Sequence, residues 1–243
     1  MTAVLAGLKR SAFTRAEQLM ARASLHGDRP FFDPADFPWT RRLEDQYRLI
    51  QAELEPLLFE PRRLPNFQDI SPDQLVGTRD DRWKTFFFYC YGHRVRTNCA
   101  RCPGTDRLLR TIPGMKTAFF SILLPGKEIG LHRGPYNGVL RYHLGLKIPP
   151  GAACGITVGG QTAHWEEGRS LVFDDTYLHR AWNRSSQIRA ILFVDFRRPL
   201  SLPASLLNRL YIAYMSASPF IKTALARQRD WDRTLEQTYQ QYC

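Results

Sequence analysis

A mainly β domain with flanking helices, arranged as a double-stranded β-helix or jelly roll, is the fold class this sequence predicts. Eight short strand-like segments, turn formers between them and helical patterns at both ends carry the prediction. Residues 3–25 repeat Leu5, Leu8, Ala12, Phe13, Ala16, Leu19, Met20 and Ala23 at helical spacing. A second helix is expected over 41–57, where Leu43, Tyr47, Ile50 and Leu54 share a face, before an irregular stretch through Pro61, Pro65 and Pro72. Strands follow near 83–90, 117–124, 129–134, 139–147, 153–158, 170–175, 178–183 and 188–196, with a short helix after Pro103 and helix again beyond Pro203. One domain is expected: N-terminal helices over 1–60, the β core over 80–200 and a helical segment over 201–243.

At 243 residues, with 44% hydrophobic residues including 15 Phe and 10 Tyr, the chain can bury a substantial core. It carries no repeat of solenoid period and no low-complexity tract. Lys and Arg exceed Asp and Glu by 34 to 23, a formal charge of +11, which points to an anionic partner: nucleic acid, acidic protein or membrane surface. No recognition helix or stacking signature favours nucleic acid, and Phe86-Phe87-Phe88-Tyr89 reads as a buried strand.

The chemistry concentrates in His132-Arg133-Gly134-Pro135-Tyr136-Asn137-Gly138-Val139-Leu140-Arg141-Tyr142-His143 and Phe173-Asp174-Asp175-Thr176-Tyr177-Leu178-His179, with Arg189 following. Asn137-Gly138 signals a two-residue hairpin turn. That register sets His132 opposite His143 and Gly134 opposite Arg141, all on one face, while Leu140, Tyr142 and Leu144 take the other. A polar set backed by an apolar set fits a small barrel with a polar lumen. A second hairpin is expected around Asn183–Ser186, bringing His179 near Arg189 on a neighbouring strand. Two neutral imidazoles suit a divalent metal such as Fe(II), and a nearby guanidinium suits a carboxylate gripped by two parallel hydrogen bonds. The pattern therefore suggests a ferrous site beside an organic acid.

These residues resemble the aspartyl/asparaginyl β-hydroxylase family of Fe(II)- and 2-oxoglutarate-dependent dioxygenases. The resemblance runs from about Trp83 to Pro199. It rests on His-x-Gly-Pro-x-Asn at His132 to Asn137, Leu-Arg-x-His-Leu-Gly-Leu at Leu140 to Leu146, Trp-Glu-Glu-Gly at Trp165 to Gly168, and Phe-Asp-Asp followed by His179. It implies a cupin-like jelly roll in which His132 and His179 ligate iron. Ser121, Arg141, His143 and Arg189 match the 2-oxoglutarate positions, Arg189 facing the distal carboxylate, and Trp83 matches the edge of that pocket. The resemblance also implies dioxygen as the second cosubstrate. Where the wider dioxygenase superfamily places a carboxylate two residues after the first His, this chain has Gly134, as its resembled family does, leaving two protein ligands. Asp175 either holds a metal-bound water or, with Asp174, caps a turn.

The substrate classes implied are Asp or Asn side chains of an acidic peptide and fatty acyl chains of lipid A or ornithine lipids. The runs Gly-Val-Leu-Arg-Tyr-His-Leu-Gly-Leu, Phe-Asp-Asp-Thr-Tyr and Phe-Val-Asp-Phe-Arg-Arg-Pro-Leu resemble the lipid branch, so acyl-chain hydroxylation on an anionic lipid is expected. A non-catalytic cupin-like binding module is the third reading. The basic N-terminal helix and the segment from Arg209 to Lys222 either lie on lipid or cover the barrel; the latter is too short to span a bilayer. Five cysteines, an odd number without a secretory signal, favour a reducing compartment, so a cytoplasmic protein, peripheral at the inner membrane face, is expected. Cys99 and Cys102 have zinc half-site spacing, against free thiols or a local disulfide.

Overall fold

This computed structural model describes residues 15–70 and 80–240. Two antiparallel sheets face one another. The larger has seven strands in the order β1-β9-β6-β11-β4-β2-β3, and the smaller has four in the order β5-β10-β7-β8. The strands are β1 (Phe31–Phe32), β2 (Trp83–Cys90), β3 (His93–Arg94), β4 (Met115–Leu123), β5 (Lys127–His132), β6 (Val139–Lys147), β7 (Cys154–Val158), β8 (Gln161–Ala163), β9 (Ser170–Phe173), β10 (His179–Asn183) and β11 (Arg189–Arg197). All eight expected segments are strands; β1, β3 and β8, of two or three residues, carry too little alternation to be read in advance.

Period-two alternation divides the large sheet into two faces. Phe86, Phe120, Leu140, Tyr142, Leu144, Leu192 and Val194 pack in one cluster with Leu43, Ile50 and Leu54 from the helical layer. That layer includes α2 (Trp39–Asp45) and α3 (Tyr47–Leu54), preceded by α1, helical over 15–22. Each fully buried Leu or Phe there contributes about 1.5–3 kcal/mol. The odd-numbered partners Trp83, Phe87, Phe119, Ser121, Arg141, His143, Arg189 and Phe193 take the opposite face, toward the barrel lumen. The described residues further include the short α4 (Phe67–Ile70), α5 (Arg96–Arg101) and α6 (Pro103–Leu109), then α7 (Ala204–Ser216) and α8 (Pro219–Gln240). The expected apolar positions Leu5, Leu8, Ala12 and Phe13, and Pro72, lie outside the described residues.

Both expected hairpins are corrected. β5 belongs to the small sheet and β6 to the large one, so His132 faces His179 on β10, while His143 pairs with Phe193 and Leu171. Gly134 donates to the backbone of Asp175 (2.7 Å) rather than facing Arg141. Asn137 and Gly138 serve long-range contacts instead of a tight turn. Asn137 Nδ2 donates to Glu17 O, and Gly138 O accepts from Arg198 N and from Asn208 Nδ2. A β-carbon on Gly138 would overlap Tyr136 and Asn208, so close packing requires this glycine. β10 and β11 likewise lie in different sheets. The turn chemistry between them is real, with Asn183 Oδ1 accepting from Ser185 N and Oγ, but it carries the chain across the barrel.

Candidate active site

His132 and His179 are register partners on β5 and β10, with ring centroids 3.9 Å apart. Each Nδ1 lies 2.9 Å from a carbonyl two residues earlier, Gly130 O for His132 and Tyr177 O for His179. A carbonyl only accepts, so both Nδ1 atoms carry the proton and both Nε2 lone pairs are left for a ligand. Burial, then the neighbouring His179, lowers His132 to about 4; burial, then Arg141, lowers His179 to about 4. Both rings are therefore neutral near pH 7, the state that binds metals. Among the described residues no group of three or more His, Cys, Asp or Glu is placed to hold a metal.

Across the lumen, Arg189 is 1% exposed, and among the described residues no carboxylate pairs with it. Its Nη1 donates to Ser121 O at 3.1 Å and reaches Ser121 Oγ at 3.5 Å, its guanidinium lies 4.5 Å from the Trp165 ring centroid, and its Nε is buried without a partner. Burial lowers this guanidinium to about 9. A buried cation lacking a counter-charge is costly, and an anionic ligand removes the cost. Trp83 Nε1 donates to Ser121 Oγ (3.0 Å), holding the hydroxyl in place, and Trp83 itself stacks on Phe67 at 4.2 Å. His143 accepts from Trp165 Nε1 through Nδ1 (3.3 Å), so its neutral ring carries the proton on Nε2, which is buried and unpartnered. Burial and the charges of Arg141 and Arg189 hold His143 well below the usual imidazole range. Two orphaned buried donors, Arg189 Nε–H and His143 Nε2–H, thus stand ready for carboxylate oxygens.

Arg141 is placed beside the imidazole pair but already has carboxylates. Its Nε donates to Asp195 Oδ1 and its Nη2 lies on Asp175 Oδ2, both at 2.9 Å, with the guanidinium 4.3 Å from the Phe193 centroid. Burial, partly offset by Arg141, holds Asp175 and Asp195 above the ordinary carboxylate range. The two aspartates of the Asp-Asp pair divide the roles considered for them. Asp174 is structural: Oδ1 accepts from Thr176 N and Oγ1, and Oδ2 pairs with the buried Arg198 (2.6 Å). Asp175 instead occupies the space beside Gly134 that a side chain there would fill.

Trp165 and Asp195 are the site residues that sequence reasoning passed over as individuals. Asp195 could have been found by parity, since it shares the lumen-facing phase of Arg189 and Phe193 on one strand. Beside Arg141 and Asp175 opens a cavity of about 140 Å3, lined largely by apolar side chains including Phe87, Phe119, Phe193, Ile212 and Met215. Cys99 and Cys102 do not share a site: Cys99 Sγ donates to Phe88 O and Cys102 Sγ to Glu53 O, both thiols buried and pushed up to about 12.

Fold and site together define a jelly-roll protein whose lumen holds a neutral imidazole pair beside a buried, unpaired guanidinium. The chain belongs to the aspartyl/asparaginyl β-hydroxylase family, whose sequence model matches residues 44–199. It is 45% identical over 219 residues to the ornithine lipid ester-linked acyl 2-hydroxylase of Rhizobium tropici, an alignment covering 90% of this chain and 78% of that one. It is 39% identical to aspartate β-hydroxylase domain-containing protein 2 of Mus musculus, over 65% of this chain and 47% of that one. The human aspartyl/asparaginyl β-hydroxylase is 32% identical, over 72% of this chain and 23% of its own. The chain thus spans less than half the length of these two animal relatives. Among solved structures, a cupin 2 conserved barrel domain protein from Salinispora arenicola aligns with 8% identity and a TM-score of 0.32, over 55% of this chain and 88% of that one.

Proposed function

We propose that this hydroxylase is Fe(II)- and 2-oxoglutarate-dependent and acts on a fatty acyl chain of an anionic membrane lipid. The observation that carries the cosubstrate is the pair of orphaned donors on Arg189 and His143, buried in the same lumen as two imidazoles with free Nε2 atoms. His132 and His179 would hold the metal. Arg189 would grip the distal carboxylate of 2-oxoglutarate, supported by Ser121 and Trp83, with Trp165 beneath the guanidinium and His143 donating from Nε2. Bound there, iron with dioxygen supplies the oxidising power to place one oxygen atom in a C–H bond as 2-oxoglutarate leaves as succinate and carbon dioxide. Asp175 and Asp195 orient Arg141 at the boundary between this site and the apolar cavity.

The lining of that cavity supports a hydrocarbon substrate. Phe87, Phe119 and Phe193 stack across β2, β4 and β11 at 4.6 and 4.2 Å, giving an apolar wall against which a chain can lie. An Asp or Asn side chain of an acidic peptide would find Lys116 and Arg141 at this volume, but most of the lining is aromatic or aliphatic, which favours a hydrocarbon. The Rhizobium relative, by its name, acts on an acyl chain of ornithine lipid, which agrees with this reading.

The test is an anaerobic titration of the metal-free protein with Fe(II) and 2-oxoglutarate, followed by oxygen and ornithine lipid, lipid A or an Asp-containing peptide. Lipid-stimulated succinate release with a mass gain of one oxygen on an acyl chain is the expected result. Stimulation by the peptide alone would replace the substrate, and iron binding without turnover on any of them would leave a binding module.

A further inference from the structure

Helix α7 has two faces of opposite use. Ala204, Asn208 and Ile212 are buried, and Tyr211, Ile212 and Met215 line the apolar cavity. Leu206, Leu207, Leu210 and Tyr214 occupy the outer arc at helical spacing and are 55%, 48%, 61% and 74% exposed, with Leu202 just before the helix at 81%. Large apolar side chains gathered on one outer face mark an interaction surface. The helix has 13 residues, and among the described residues no helix is long and apolar enough to cross a membrane, so a bilayer contact here would lie in the interface plane.

Three cations lie around this helix. Arg209 is exposed on α7 itself. Arg197 stands at the end of β11, where its N–H donates to Gly114 O (3.0 Å), and its Nε is buried without a hydrogen-bond partner. Lys116, at the start of β4, lines the same cavity as Tyr211, Ile212 and Met215. Several other basic residues meet carboxylates, as in Arg29–Asp36, Arg133–Glu17 and Arg184–Glu128. Among the described residues none of these three does. Burial and mutual repulsion hold Lys116 and Arg197 below their usual ranges, Lys116 against Arg197 and Arg197 against Arg209. Such a cluster is unfavourable until an anion neutralises it. A free anion would use the cations and leave the leucines in water; an anionic membrane uses both, and the chain's charge of +11 favours that encounter.

We propose that Lys116, Arg197 and Arg209 bind the anionic headgroup, carboxylate or phosphate, of a membrane lipid, while the outer face of α7 seats the protein in the bilayer. Because Lys116 belongs to both the cluster and the cavity wall, a lipid held there by its headgroup has its acyl chain at the cavity entrance. The direction of chain entry rests on the acyl-chain reading above; adsorption to an anionic surface does not.

The experiment is co-sedimentation of the full chain with vesicles of phosphatidylcholine alone, and with phosphatidylglycerol or oleate added at about one lipid in three, enough for a strongly negative surface. The wild type binds the anionic vesicles preferentially. K116Q/R197Q/R209Q weakens that binding about a hundredfold, from about fivefold per cation, and K116R/R197K/R209K restores most of it. L206S/L210S loses binding to both anionic compositions. Oleate and phosphatidylglycerol separate carboxylate from phosphate, and inorganic phosphate at matched ionic strength does not release the protein. Wild-type binding by the triple glutamine variant overturns the proposal, as does a leucine variant that breaks a dimer but leaves vesicle binding intact. Fe(II) affinity of each variant separates docking from folding. Vesicle binding by a protein that hydroxylates no lipid supports the docking face and removes the acyl-chain reading.

Discussion

The carboxylate of Asp175 stands where a side chain at position 134 would be, so that a β-carbon on Gly134 would overlap it. The glycine is therefore a consequence of the aspartate's position, and the carboxylate beside the imidazole pair comes from the strand-to-strand turn before β10 rather than from the end of β5. Gly134→Ala should cost about 1–3 kcal/mol through overpacking. In an Asp175→Ala background the same change should cost less than about 1 kcal/mol, because the colliding group is gone. Urea denaturation of the four proteins measures the coupling; equal costs in both backgrounds would show that the two positions are independent.

Arg189 sets stability against ligand binding. Removing a buried, unpaired charge relieves its desolvation, so Arg189→Met should raise the thermal midpoint of the ligand-free protein. The same variant should show no stabilisation by 2-oxoglutarate, whereas the wild type gains stability as the ligand is added. Thermal scans with and without 2-oxoglutarate read both effects. A variant that is less stable without ligand, yet still responds to it, would remove Arg189 from the anion pocket.

The imidazole pair makes the metal-free fold sensitive to acid. His132 and His179 are held at about 4 against an ordinary 6.5, so the unfolded chain takes up protons in that interval while the folded chain refuses them. Their contribution is fully present above about 6.5 and is lost as pH falls toward 4. Asp175 and Asp195, held high, act in the opposite sense, so the comparison must be made against His132→Gln/His179→Gln. The double variant should lose less stability than the wild type between pH 6.5 and 4. Parallel urea midpoints across that range would exclude the pair as the source.

The same site shows what the sequence made legible. Alternation along β6 assigned Arg141 and His143 to one face, because period two survives whichever strand lies alongside; Ser121 and Arg189 were reached through the family resemblance. Pairing did not survive, because Asn137-Gly138 carries the local chemistry of a hairpin while its amide and carbonyl are taken by Glu17, Arg198 and Asn208 from distant parts of the chain. In a jelly roll the chain crosses between sheets at such turns, and nothing within a few residues reports the crossing. Asp195 and Trp165 were obscured for a related reason: their partners, Arg141, His143 and Arg189, come from other strands. The split of Asp174 from Asp175 depended on Arg198, whose fully buried guanidinium also gathers Gly27 O and Ser24 Oγ. That ion pair leads to a direct expectation. Arg198→Ala should cost about 3–5 kcal/mol by stranding Asp174, and a loss under about 1 kcal/mol in urea denaturation would show the site to be hydrated.

The Phe119 ring is the centre of the aromatic wall, stacked on Phe87 at one side and Phe193 at the other. Truncating it would open the cavity toward Phe67 and Ile70, which share its lining, and would loosen Phe193 beneath Arg141. Phe119→Ala should therefore cost about 3–5 kcal/mol of stability, measurable at a temperature where the variant remains folded. On the acyl-chain reading it should also shift preference toward longer or branched chains, since the wall that limits chain position is set back. Competition between lipids of different acyl length, scored by mass spectrometry of the hydroxylated products, gives the comparison directly. A variant that is destabilised by this amount but keeps the wild-type order of chain preference would place the substrate elsewhere and leave the cavity a packing defect.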